Sequence, residues 1–170
     1  MTAAVDLSAA PPGLARRFAA WLYEGVLLFG VLFAAGLVIS ILMRSADVVK
    51  QPVGGAFLFV VLGLYFVAFW TRSGQTLAMK TWHLRVVDAT GQPLRPGRAV
   101  LRFLLAWLWF LPALVSVWAL GLHGGLAIGG SLAGGVLAYL LIARLHPQRQ
   151  FLHDTIAGTR IVTQLPPQRS

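Results

Sequence analysis

The stretch RRFAAWLYEGVLLFGVLFAAGLVISILM, residues 16–43, decides what kind of chain this is. Two arginines precede a run of apolar residues that is interrupted by a single carboxylate, Glu24. A bilayer hydrocarbon core of ~30 Å is crossed by roughly 17–25 helical residues, and this run is long enough. It exceeds the ~7–15 apolar residues of a cleavable export signal, and no small-residue cleavage site closes it, so it is expected to stay in the chain. Three further runs have the same character. With the first they give expected spans at about 18–43, 53–70, 99–120 and 125–145. The last two are joined only by GLHGG, which suits a hairpin of antiparallel helices.

The composition agrees. Hydrophobic residues make up 58% of the 170 residues and charged residues only 11%, a balance that points to one membrane domain over residues 1–170. The chain has no cysteine, which excludes disulfides and thiol chemistry. The fold class expected is an all-α membrane protein with four transmembrane helices and a short β-prone loop on the cytoplasmic side.

The net charge of +9 is a topology signal rather than a nucleic-acid signal. With four spans, twelve of the fourteen basic residues fall on one side; Arg44 and Lys50 fall on the other. Positive loops stay cytoplasmic, so both termini and the central loop are expected inside, against anionic lipid headgroups. No basic patch interleaved with exposed aromatics calls for nucleic acid. Trp21, Tyr23, Phe69, Trp70 and Trp118 sit near expected span ends, where aromatics anchor. In the central loop WHLRVV, and near the C-terminus TRIVTQ, are β-prone and could pair on the inner face.

The fourth run repeats GGLAI GGSLA GGVLA. Gly125 with Gly129, and Gly130 with Gly134, form small-xxx-small pairs that let another helix, or a second copy of the chain, come close.

Glu24 lies seven residues beyond Arg17, roughly 10 Å into the bilayer. A carboxylate at that depth is costly unless it pairs, binds a cation or takes up a proton. Arg102, which enters with the third span in the same leaflet, is the favoured partner. Arg16 and Arg17 then remain to reach headgroups or to meet Asp154. In QFLHDTIAG, Asp154 either caps a short turn or bridges to the first helix, and His153 is a candidate to titrate near neutral pH.

ARRFAAWLYEG, RSGQTLAMKTWHLRVVDATGQPL and RQFLHDTIAGTRIV, in that order, resemble the RDD family of bacterial inner-membrane proteins, named for one arginine and two aspartates. The resemblance implies Arg17, with Arg16 as the alternative, and Asp154 as two of those residues. The remaining aspartate falls on Glu24, one methylene longer. It also implies transport of ions or small solutes, with sodium/proton antiport for some members.

Three function classes follow. A transporter would exchange a proton for a monovalent cation at Glu24 and, with so few helices, would work as a homodimer. A non-enzymatic assembly component needs only packing surfaces and a basic inner face. An intramembrane enzyme is disfavoured: there is no carboxylate pair within the bilayer, no HExxH and no GxSxG. No catalytic residue, cofactor or metal ligand is expected.

Overall fold

The computed structural model describes residues 11–44, 46–145 and 151–164. The first run forms α1 (Leu14–Leu42), which ends at Arg44 in a left-handed conformation. A 3-10 turn, Ala46–Lys50, then leads into α2 (Pro52–Arg72) with its proline in the first helical turn, where a missing N–H costs nothing. A Cβ on Gly54 would collide with the Val48 carbonyl, so only glycine lets α2 start this close to the turn.

These helices are apolar all round and yet exposed. On α1, Val26, Phe29 and Phe33 are 69%, 73% and 66% exposed. A helix of that kind belongs in a large core or in lipid, and no core covers it here. α1, α2 and α6 (Gly125–Leu145) are each long and apolar enough to cross a membrane.

The expected span at 99–120 is not one continuous helix. Its residues form α4 (Pro96–Ala106), a 3-10 turn at Trp107–Trp109 and α5 (Leu111–Ala119), so no continuous helix of spanning length exists there. Proline at 112 has no N–H to give the carbonyl four residues back, and the Phe110 N–H closes the tighter turn on Trp107 at 3.0 Å. α5 does pack against α6 as the expected hairpin, through left-handed glycines at 121 and 124. The glycine in contact with α5 is Gly135, outside the two small-xxx-small pairs. A Cβ on Gly125, Gly129, Gly130 or Gly134 would meet open space, whereas one on Gly135 would lie 3.3 Å from the Ala113 side chain. Both glycine pairs of α6 are therefore open rather than packed within the chain.

Most of the core sits at one end, in a cap. The β-prone segments pair as anticipated: β1 (Leu84–Asp88) runs antiparallel to β2 (Thr159–Thr163), with Leu84 opposite Thr163 and Asp88 opposite Thr159. Two strands alone are marginal. Here β1 is buried against helix ends, and Leu84, Val86 and Ile161 join one cluster with Ala20 of α1, Trp70 of α2, Phe103 of α4 and Tyr139 of α6. Two one-turn helices, α3 (Leu77–Thr81) and α7 (Leu152–Ile156), complete the cap. Asp88 closes the turn after β1 by accepting the N–H groups of Thr90 and Gln92, both at 2.9 Å. Gly74 has φ +70°, and a Cβ there would lie 2.6 Å from the Val86 carbonyl; it lets the end of α2 lie against β1.

Candidate functional site at the cap junction

Two buried carboxylates stand near the cap, and different elements serve each. Glu24, in the second turn-pair of α1, is 7% exposed. It faces α2 and α3, because those are the elements α1 packs on. The Tyr65 hydroxyl donates to its Oε1 at 2.6 Å, and the Thr76 hydroxyl donates to Oε2. Thr76 is also the N-cap of α3, accepting the Met79 N–H at 3.2 Å. Its oxygen is thus engaged by the backbone, which leaves its proton for Glu24.

The expected pair of Glu24 with Arg102 does not form. α4 packs on α2 and α7, and this turns Arg102 toward Asp154: Nη2 lies 2.6 Å from Oδ1. The Arg102 guanidinium also lies over the Trp70 ring at 4.2 Å. Among the described residues, no basic side chain forms an ion pair with Glu24.

Asp154 is fully buried and is the centre of a knot. Besides Arg102 it has the Thr159 hydroxyl at 3.4 Å and His153 Nε2 at 3.4 Å. The Tyr139 hydroxyl of α6 meets His153 Nδ1 at 2.8 Å and accepts the His153 N–H at 3.0 Å. The network therefore assigns the proton to Nε2, pointing at Asp154. Burial pushes the His153 imidazole down to about 4, against the pull of Asp154. His153 is neutral near pH 7, which corrects the expectation that it titrates there. Asp154 ties the C-terminal segment to α4 through Arg102, and its neighbour His153 ties it to α6 through Tyr139; the expected cap does not form, because α7 starts at Phe151 with no side-chain cap hydrogen bond.

The two arginines of α1 also turn inward. Arg16 donates to the carbonyls of Trp82 at 2.7 Å and His83 at 3.0 Å, clamping α1 to the cap. Arg17 is buried, with its guanidinium over the Phe151 ring at 4.8 Å and within the field of Asp154. Phe151 is the N-cap of α7, so the expected link between Arg17 and the C-terminal segment is made through this ring.

A cavity of about 430 Å³ brings these groups together. Arg17, Glu24, Thr76, Arg102 and His153 all line it, among apolar and aromatic side chains from α1, α2 and the α4 region. Tyr65, Thr76, Tyr139 and Trp70 were not singled out as site residues from the sequence. Hydroxyls carry no charge to stand out in an apolar run; only the placement of Thr76 before the LAMKT turn hinted at a cap. Among the described residues no three His, Cys, Asp or Glu side chains come together.

No curated protein and no solved structure shows a significant match to this chain. The RDD family model matches residues 11–158, which hold the arginine pair, the buried glutamate, β1, Arg102 and Asp154; the chain belongs to the RDD family.

Proposed function

We propose that this protein moves small cations and protons across the bacterial inner membrane, with Glu24 as the exchange site. The observation that carries the reading is the setting of Glu24: a buried carboxyl in an apolar helix, given hydrogen bonds by two hydroxyls, without a basic ion-pair partner among the described residues, and open to a cavity. A buried carboxylate held by a guanidinium is fixed in charge. One held by hydroxyls can accept a proton, or can share a monovalent cation with the oxygens of Tyr65 and Thr76, whose hydroxyls rotate to offer lone pairs. Exchanging one for the other keeps the buried site neutral. The reading assigns no catalytic group and no cofactor.

Four crossings with both termini in the cytoplasm fit this reading. The cap joins the first turns of α1, the last turns of α2, the start of α4 and the last turns of α6, so the chain leaves and returns twice. In that arrangement the broken α4–α5 pair serves as the third crossing. Positive residues concentrate at the cap, as cytoplasmic loops require.

A second reading, assembly with another copy or another membrane protein, is favoured by the open Gly125–Gly134 face of α6. One experiment separates the two. Purified protein in liposomes should carry sodium inward against protons under an imposed pH gradient, and Glu24→Gln should abolish this while melting normally. Absence of flux under every gradient would favour assembly.

A further inference from the structure

The cavity beside Glu24 is far larger than a cation requires. Its volume of about 430 Å³ lies in the ~300–1,000 Å³ range of sites that take whole small molecules. Its long walls are apolar, from Leu28 on α1, Leu62 and Phe66 on α2, and Phe103 on α4. Trp21, Leu22 and Trp107 also line it and are exposed on the surface of the apolar helices, so it opens where acyl chains lie.

The end toward the cap is cationic. Arg17 and Arg102 line it and are 3% and 5% exposed. Asp154, which is not among the lining residues, offsets one of these two charges. Arg102 Nε and Trp70 Nε1 are buried donors without a hydrogen-bond partner among the described residues, and both residues line the cavity. Unmatched buried donors are costly; neither atom has appreciable accessible surface in this structure, and a turn of either side chain toward the cavity would present it to an oxygen-rich anion. Glu24 lies two turns farther along α1, about 10 Å from Arg17, so its carboxyl does not share the headgroup's place.

We propose that this cavity is a binding site for one anionic glycerophospholipid of the surrounding bilayer. Its phosphate is drawn by the charges of Arg102 and Arg17, with the Trp70 N–H turning to meet it, and one acyl chain runs between α1 and the α4 region. A lipid seated there forms the outer wall that separates Glu24 from the bulk acyl phase. The binding requires no exchange at Glu24, so it stands or fails separately from flux.

The test is lipid retention by the delipidated protein, counted by native mass spectrometry after exposure to mixed micelles of phosphatidylglycerol and phosphatidylcholine. The wild type should keep one phosphatidylglycerol, preferred over phosphatidylcholine by at least about fivefold. Gly25→Phe should lose that molecule: Gly25 lines the cavity and a Cβ there meets open space, so the ring fills the site without strain. Ala106→Trp, from the opposite wall, should do the same if Gly25→Phe melts early. Equal retention of both lipids would overturn the proposal, as would undiminished phosphatidylglycerol in either folded variant. Glycerol phosphate competing as well as the whole lipid would overturn it too, because the apolar walls would then have no part.

Discussion

Asp154 and Glu24 are both buried carboxyls within the same cap region, but their surroundings differ in kind. Asp154 is held by a guanidinium and an imidazole N–H, on elements that close the cap; Glu24 is held by two hydroxyls beside a cavity. The difference separates fixed charge from exchangeable charge. A guanidinium stays protonated in a protein, so a carboxylate bound to it gains nothing by taking up a proton. A carboxylate bound to hydroxyls has no such tie. Packing order sets the contrast: α1 leans on α2 and α3, and α4 leans on α7, so Arg102, the arginine expected to serve Glu24, is committed to Asp154.

The largest expected effect tests the Asp154 side. Asp154→Asn or Arg102→Gln alone leaves its partner buried and uncompensated and should cost ~3–5 kcal/mol of stability in detergent, with the double change costing clearly less than the sum. Glu24→Gln keeps an acceptor oxygen for one hydroxyl, while the other turns to accept from the new NH2, and the change should cost under about 1.5 kcal/mol. Strong coupling of Glu24 with Arg102 in the same cycles, and none with Asp154, would reverse the two roles.

A second effect belongs to His153. Its folded pKa of about 4 is lower than its ordinary value of 6.5, so the unfolded chain takes up a proton at a pH where the folded chain does not. The stability this neutral imidazole contributes is fully present above pH 6.5 and is lost as pH falls toward 4, by up to ~3 kcal/mol. Melting temperature measured across that window should fall steeply in the wild type and less in His153→Gln. An identical slope in both would place the acid sensitivity elsewhere.

The smallest effect sharpens the Glu24 side. Thr76→Val removes both the α3 cap and a donor to Glu24 and should cost ~1–2 kcal/mol, while Thr76→Ser should restore most of it. If Thr76→Val melts like the wild type, the hydroxyl does not hold the carboxyl.

Much of this arrangement was legible in the sequence, and what was not has physical causes. Three long apolar runs needed only length and composition. The β1–β2 pair showed in branched residues beside turn chemistry. The break near Trp107–Phe110 was hidden because a single proline is often tolerated within an apolar run that otherwise reads as continuous. Glu24 stood out as a lone charge, but its partners Tyr65 and Thr76 are neutral and come from α2 and α3. Arg102 was assigned to the wrong carboxylate because depth along a helix says nothing of which neighbour it faces. The contact of α6 with α5 falls on Gly135, one residue and so 100° of helix from Gly134, while the two glycine pairs meet open space.

The central claim, that Glu24 changes its charge state when a cation arrives, is tested most directly by infrared difference spectroscopy of the purified protein on adding sodium at constant pH. The account predicts loss of a protonated carboxyl band with release of one proton per protein, absent in Glu24→Gln and retained in a folded Asp154→Asn. A band unchanged by sodium, or one that survives in Glu24→Gln and disappears in Asp154→Asn, would contradict it.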